Sequence, residues 1–170
     1  MAEFLWRAMT EADLPAVQQI ADSVHLDFYE RPEVLAERLA LAPFGCRLLE
    51  REGKPLGYLL SHPWRAGDLP PLDTLLGALP ENADAWYLHD LCLLPGARGT
   101  GAASELVRAM IADVRALGFP GLSLVAVNGS QPFWTRMGFS VENRPALAAK
   151  LLSYEPEARY MSLTLPKDPR

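Results

Sequence analysis

The sequence contains no apolar run of the roughly 20 residues that a membrane-spanning helix requires. Its first residues, MAEFLWRAMTEADL, include acids where a secretory signal has basic residues and then an apolar segment. Only two cysteines occur, Cys46 and Cys92, and no Cys and His spacing is typical of a metal site. These absences argue against a membrane partner, a disulfide framework and a bound metal. They predict a cytoplasmic protein whose cysteines are reduced core residues.

Positive charge is also sparse. The chain has 16 basic and 21 acidic residues, a formal net charge of −5, and no run of Lys or Arg. A nucleic-acid partner is therefore not expected, and the acidic balance weakly favours an amine-bearing partner. With 170 residues, 49% of them apolar, the chain is expected to form a single domain over residues 1–170.

The first part of the chain has clear signals for two helices and three strands. EFLWRA reads as a strand, and TEAD has the spacing of a capping box, which predicts a helix from about Asp13 to Val24. A second helix is expected to begin near Pro32, because proline is well tolerated in a first helical turn. The stretch CRLLEREGKPLGYLLSH predicts a hairpin with strands at 46–50 and 56–62.

A stretch rich in proline and glycine separates this hairpin from the rest of the chain. The sequence from Pro63 to Asn82 still carries apolar side chains, and loops of this length inside a compact domain usually bind something or form a lid. The alternative is a packed connector with a short helical turn at residues 72–79. The sequence leaves both interpretations open.

The centre of the chain predicts a strand, helix and strand unit. AWYLHDLCLL, residues 85–94, and LSLVAV, residues 122–127, are nearly continuous apolar runs, as in strands covered on both faces. Apolar residues at helical spacing lie between them, and Gly118 follows as a stop signal. The two strands should therefore lie parallel in an α/β or α+β domain. A helix from about Pro145 and a strand at 158–165 are expected to follow.

Three glycines lie between the first of these strands and the helix. Gly96, Gly99 and Gly101 allow a tight turn and a close approach of ligand to backbone, and the helix N-terminus supplies free N–H groups. A phosphate or diphosphate would fit there, with Arg98 and Thr100 as added donors. The nucleoside-triphosphate loop and the dinucleotide fingerprint do not fit, since GTGAAS lacks the lysine of the former and the third glycine of the latter. Turn formation alone is the other interpretation of these glycines.

Three motifs in order resemble the GNAT superfamily of acyl-CoA-dependent N-acyltransferases. ARGTGAA after the strand DLCLLP resembles that family's coenzyme A loop, NGSQPFWTRMGF resembles its late motif, and LWRAMTEADLPAV resembles its first strand and helix. The resemblance implies a mixed, mostly antiparallel twisted sheet of about six or seven strands with helices on both faces. It also implies a splayed parallel strand pair in the centre.

The resemblance implies acetyl-CoA as cosubstrate and no metal. The pantetheine arm should pair with backbone in the gap between the splayed strands, and the diphosphate should bind backbone N–H groups at the glycine turn. The cofactor-binding residues implied in this way are Leu91, Cys92, Leu93, Arg98, Gly99, Thr100, Gly101, Ala102, Ala103, Asn128, Gln131, Phe133 and Trp134. Core packing is the alternative role for Phe133 and Trp134.

Acetyl transfer requires a group that removes a proton from the amine, since an amine with a pKa of about 10 is mostly ammonium at neutral pH. Asp90 and His89 are the catalytic candidates, because both lie in the strand that leads to the gap. Strand alternation predicts that they lie on opposite faces, so that at most one of them points into the site. An ion pair or helix cap is the alternative role for Asp90, and a core or surface histidine for His89.

The general acid departs from the family pattern. Members that use a tyrosine have it four residues before the late glycine, where this chain has Trp134, and an indole N–H is too weak an acid. The thiolate then leaves unaided, or Tyr154, Tyr160 or Ser130 substitutes, or the protein does not catalyse the transfer. Cys92 as an acyl-accepting nucleophile is a further alternative.

The predicted function is an N-acetyltransferase acting on a primary amine of a small molecule, protein or peptide. Acceptor contacts are expected from position alone at Tyr29, His62, Trp64, Arg65 and Tyr154. Two rival functions remain at this stage: a non-catalytic acyl-CoA-binding or sensing protein, and a nucleotide-phosphate binder. The resemblance also leaves a homodimer open.

Overall fold

The computed structural model describes residues 3–167 and contains one seven-stranded sheet. The strands are β1 (Leu5–Ala8), β2 (Arg47–Arg51), β3 (Lys54–Trp64), β4 (Ala85–Leu93), β5 (Gly121–Ala126), β6 (Ser140–Val141) and β7 (Arg159–Thr164). The helices are α1 (Leu14–Val24), α2 (Pro32–Leu41), α3 (Ala102–Ala116), α4 (Gln131–Arg136) and α5 (Ala148–Tyr154). The strand order is β1-β2-β3-β4-β5-β7-β6, and every neighbouring pair is antiparallel except β4 and β5. The predicted mixed sheet is confirmed.

Helix α1 begins where the sequence predicts. The Thr10 backbone N–H and hydroxyl both donate to the Asp13 carboxylate, at 2.8 and 3.1 Å, and a single turn of 3-10 helix leads into α1. Arg7 of β1 also binds both oxygens of Asp13, at 2.8 Å each, which holds its carboxyl pKa at about 2. The helix start is thereby fixed to the edge of the sheet.

The sheet has an apolar core on each face. On one face α3 packs Leu106, Val107, Met110 and Val114 against β4 and β5. On the other face α1 and α2 pack against β2 and β3, with a core formed by Val17, Ile20, Leu35, Leu39, Leu48, Tyr58 and Leu60. Each such buried aliphatic side chain contributes about 1.5–3 kcal/mol, so the sheet is held rigidly between two layers of helix.

The parallel pair β4 and β5 is joined over a short distance only. The paired residues are Trp86 with Leu122, Tyr87 with Ser123, and Leu88 with Leu124. Past Leu88 the strands separate, while β4 stays paired with β3 as far as Leu93. The predicted splayed pair is therefore present, and it leaves one side of β4 free for a ligand.

The long connection between β3 and β4 is a packed connector. Leu69 within it is only 1% exposed, and the Leu76 and Gly77 N–H groups donate to the Glu37 carboxylate of α2 at 2.6 and 3.0 Å. The helical turn predicted at residues 72–79 is absent from this stretch, all of which the structure describes. Asp73 has a left-handed backbone (φ 52°), which a right-handed turn cannot contain, and the N–H groups bind α2 instead.

Within residues 3–167, no helix combines the length and apolar character needed to cross a membrane. The same residues contain no group of three or more His, Cys, Asp or Glu side chains arranged to hold a metal ion. Cys46 and Cys92 are both free and buried.

Candidate active site

A cleft of about 780 Å³ lies where β4 and β5 separate. Its walls include most of the residues that the sequence assigns to coenzyme A, namely Leu91, Cys92, Leu93, Arg98, Gly99, Gly101, Ala102, Ala103, Asn128, Phe133 and Trp134. The walls also include both catalytic candidates, His89 and Asp90. The fold therefore brings the two strands, the glycine turn and the late motif together around one space.

Two of the predicted cofactor residues are outside these walls. The Thr100 hydroxyl turns back to donate to the Ala97 carbonyl at 2.7 Å, and Gln131 is exposed at the start of α4. Ser130, which precedes that short helix, and Arg136, its last residue, also line the cleft. The sequence analysis names Ser130 only as a substitute general acid and gives no signal for Arg136, because a six-residue helix shows no clear periodicity.

The glycine turn has the open backbone that an anion cradle needs. Gly99 and Gly101 have left-handed backbones, with φ of 72° and 85°, and a side chain added at either would meet nothing within 4 Å. The first ladder bond of α3 runs from the Glu105 N–H to the Gly101 carbonyl at 3.0 Å. The backbone N–H groups before Glu105 therefore have no carbonyl partner within α3, and they lie at the end of the helix next to the cleft.

A β-bulge in β4 corrects the prediction for His89 and Asp90. Leu60 of β3 pairs with Asp90, but the next residue, Ser61, pairs with Leu88, so His89 is an extra residue in β4. The extra residue breaks the alternation of the strand. Both side chains consequently line the cleft, and the prediction that they lie on opposite faces is wrong.

Asp90 is held by two neighbours. His25, which follows α1, lies with Nε2 2.7 Å from Asp90 Oδ1, and the Tyr58 hydroxyl donates to Asp90 Oδ2 at 2.5 Å. Burial lowers the pKa of His25, but the bond to Asp90 outweighs it and raises the pKa to about 10. Asp90 and His25 are thus an ion pair at neutral pH, as one of the two interpretations of Asp90 expects.

His89 is held by Glu30, which lies in the segment between α1 and α2. His89 Nε2 is 2.7 Å from Glu30 Oε1, and both side chains are buried. Burial raises the pKa of Glu30, but the histidine outweighs it and the net pKa is lowered, so Glu30 is ionised. When the ring is neutral, Nε2–H donates to Glu30, and Nδ1, which is buried and has no hydrogen-bond partner among residues 3–167, holds the lone pair.

A second cavity of about 40 Å³ adjoins the cleft. The two share His25, His89, Asp90, Val125 and Val127. The remaining walls of this small pocket are Phe28, Glu30, Leu72, Tyr87 and Tyr154. The two acid and histidine pairs therefore stand at the junction between a large and a small space.

Of the five predicted acceptor residues, one lines this small pocket and four do not. Tyr154 lines it, with its hydroxyl donating to the Pro70 carbonyl at 2.8 Å. Tyr29 and Arg65 are exposed, Trp64 is half-buried, and none of them lines either cavity. His62 is fully buried within the sheet, where loss of hydration lowers its pKa to about 3.

The surroundings of Trp134, Tyr160 and Cys92 do not favour a role as general acid or nucleophile. Trp134 packs edge-on against Phe133 and Phe139, with ring centres 4.9 and 5.5 Å away. The Tyr160 hydroxyl accepts the Gly67 N–H at 2.8 Å outside both cavities. Burial raises the pKa of the Cys92 thiol, which disfavours the thiolate that nucleophilic attack requires.

This geometry is the one expected of acyl-CoA-dependent acyltransferases, and comparison with known proteins identifies the particular group. The model of the Acetyltransferase (GNAT) family matches residues 5–139, most of the chain, and the chain belongs to that family. It is an acetyl-CoA-dependent N-acetyltransferase. Comparison with curated protein sequences gives no match.

Solved structures share the whole fold. Ard1 from Thermoplasma volcanium is 14% identical, with a TM-score of 0.73 over 96% of this chain and 98% of that one. The loading GNATL domain of CurA from Lyngbya majuscula is 17% identical, with a TM-score of 0.75 over 95% and 98%. A GNAT family acetyltransferase from Brucella melitensis, solved in complex with acetyl-CoA, is 18% identical, with a TM-score of 0.62 over 99% and 92%. At these identities the likeness concerns the fold.

Proposed function

We propose that the cleft binds acetyl-CoA and that His89 removes the proton from a primary amine held in the small pocket. The observation that carries this proposal is the position of His89, which lines both the cleft and the small pocket at the point where they meet. A group at that junction would lie between the thioester in the cleft and the amine in the small pocket.

The cleft has the parts needed for each section of the cosubstrate. Past Leu88 the β4 backbone has no partner on the β5 side, so the backbone of Leu91, Cys92 and Leu93 is placed to bind the pantetheine amides. Backbone N–H groups of residues 98–103 would hold the diphosphate, and Asn128, Phe133 and Trp134 would form the far wall. The side chains of Thr100 and Gln131 are left out of this assignment because they do not line the cleft.

The chemistry follows from the two acid and histidine pairs. Bound acetyl-CoA supplies an activated acyl group. His89 Nδ1 accepts the ammonium proton, and the Glu30 carboxylate stabilises the imidazolium that forms. Asp90 already has both oxygens bonded to His25 and Tyr58, so its role is to attract the ammonium. A free β4 backbone N–H group would polarise the acetyl carbonyl, and a thiol with a pKa of about 8.5 leaves readily without a tyrosine acid.

For the acceptor, the location and the assembly of the protein, we keep the predictions made from the sequence. We infer that the acceptor is an amine-bearing small molecule or protein, that the protein works in the cytoplasm without a metal or nucleic acid, and that it forms a single domain, with a homodimer left open. The net charge of −5 supports an amine-bearing partner over an anionic one.

A substitution at the glycine turn tests the binding half of the proposal. Gly101→Glu puts a side chain and a negative charge into the open space before α3, so binding of acetyl-CoA and of CoA should be lost in calorimetric and thermal-shift titrations. Gly53→Glu is the matched control, because Gly53 also has a left-handed backbone (φ 74°) and open space but lies outside the cleft. Equal loss in both variants, or none in Gly101→Glu, would contradict the assignment.

A substitution of His89 tests the catalytic half. General-base catalysis is worth about 10²–10⁴ in rate, so His89→Gln should lower kcat for acetyl transfer by about that factor. The affinity for acetyl-CoA measured by calorimetry should remain within about threefold, because no binding contact is assigned to the His89 ring. A variant with normal kcat would show that another group takes the proton.

A further inference from the structure

The small pocket limits which amines can reach His89. Its volume is about 40 Å³. One water requires about 10–15 Å³ on this scale, so the pocket has room for about three such groups. An amine with a chain of three or four heavy atoms fills this space.

Charge restricts the acceptor further. The pocket walls carry two carboxylates, Glu30 and Asp90, each bonded to a histidine at 2.7 Å. The neighbouring arginines are each matched, Arg38 by Glu37 at 3.1 Å and Arg31 by Asp73 at 3.0 Å. With two carboxylates and neither lysine nor arginine, the walls suit a cationic acceptor better than an anionic one.

The pocket offers no unpaired cation to a substrate carboxylate, because the His25 imidazolium already pairs with Asp90 at 2.7 Å. None of the ten residues that form its walls, all of them in the described part of the chain, is lysine or arginine. Its uncharged walls include Phe28, Leu72, Val125 and Val127, which suit an alkyl group.

Hydrogen bonds hold the outer walls in place. The Asp73 N–H donates to Glu30 Oε2 at 3.1 Å, and the Tyr154 hydroxyl donates to the Pro70 carbonyl at 2.8 Å. The connector that includes Leu72 is therefore tied on one side to the segment before α2 and on the other to α5. A polypeptide acceptor would exceed the room for about three water-sized groups that lies between these walls.

We propose that the acceptor is a compact aliphatic monoamine without a carboxylate. Its ammonium lies between Glu30 and Asp90, and its alkyl part packs against Leu72 and Phe28. This inference rests on the proposed function, since it takes His89 as the group that receives the proton.

The test compares acceptors with the same number of carbons on the purified protein, with release of the CoA thiol as readout. Propylamine, propanediamine and β-alanine share three carbons and differ only in the second end group. Propylamine should have the highest kcat/KM, propanediamine about tenfold lower, and β-alanine at least about a hundredfold lower, because unmatched and like charges are strongly disfavoured in a desolvated site. A peptide with a free N-terminus should be at least about a hundredfold poorer than propylamine.

Two variants test the assigned wall. Leu72→Ala lengthens the pocket and should raise the kcat/KM ratio of hexylamine to propylamine about tenfold, in the range that one or a few methylenes are worth. Leu75→Ala is the control, since Leu75 lies in the same connector, is 49% exposed and lines neither cavity. An unchanged ratio in Leu72→Ala, or an equal change in both variants, would overturn the placement.

The outcomes separate this inference from the proposed function. Faster transfer to β-alanine or to the peptide than to propylamine, with His89→Gln still inactive, overturns the acceptor class and leaves the role of His89 standing. No transfer to any amine by wild-type protein that binds acetyl-CoA overturns both.

Discussion

The side chains that control the site come from segments far apart in the chain. His25 meets Asp90 across 65 positions, and Glu30 meets His89 across 59. Each carboxylate is buried enough to depend on its histidine for a hydrogen bond, and the His25 imidazolium also balances the charge of Asp90. Removing one partner therefore affects stability as well as catalysis.

The His25 and Asp90 pair should make stability depend on pH. The folded pKa of His25, about 10, lies above its ordinary value of 6.5, so its contribution is complete below pH 6.5 and is lost as pH rises through about 10. Thermal unfolding of wild type and His25→Gln should differ by about 2 kcal/mol near pH 6, with the difference narrowing toward pH 10. A difference that stays constant over this range would show that His25 is not charged in the folded protein.

At the scale of elements, the connector between β3 and β4 depends on α2 for its shape. It has no regular structure of its own, and Glu37 accepts two of its N–H groups while also pairing with the fully buried Arg38. Because the connector contributes Leu72 to the small pocket, α2 fixes the acceptor wall indirectly.

Replacing Glu37 should therefore loosen the connector. Glu37→Ala removes both acceptor bonds and leaves the buried Arg38 with the Thr74 carbonyl but without its adjacent carboxylate, which should cost about 2–4 kcal/mol in unfolding free energy and increase protease cleavage within residues 65–84. Glu33→Ala on the same helix is the control, because Glu33 is exposed. Equal proteolysis of the two variants would mean that the other contacts of the connector, such as the bonds of Asp73 to Glu30 and of Tyr154 to Pro70, hold it without Glu37.

The sequence predicts elements well where a local pattern has a physical cause. The capping box at Thr10 marks the start of α1, and continuous apolar runs mark β4 and β5, because both are buried on two faces. One of the two open interpretations of the 63–82 stretch included a helical turn at residues 72–79, and that turn is absent because N–H groups there bind Glu37. No local pattern reports a hydrogen bond to a residue some forty positions away.

At the scale of the whole molecule, the separation of β4 and β5 creates the function. The two strands are joined by three residue pairs and then separate from each other. Helix α3 packs on one face of the sheet, and α1 and α2 pack on the other. The opening exposes backbone that a ligand can pair with, while the helices keep both strands from closing over it. The glycine turn, the cleft and the small pocket all meet this opening.

The sequence by itself determined the order of the elements, the family and the place of the glycine turn. These are local properties, since only glycine readily adopts the left-handed backbone at 99 and 101, and apolar periodicity reports which face of an element is buried. Only the tertiary structure decided which acidic and histidine side chains meet. A bulge of one residue at His89 turned both candidates toward the site, and packing of α1 and α2 supplied His25 and Glu30. Strand register and packing between distant segments decide such contacts, and neither is encoded in any short stretch of residues.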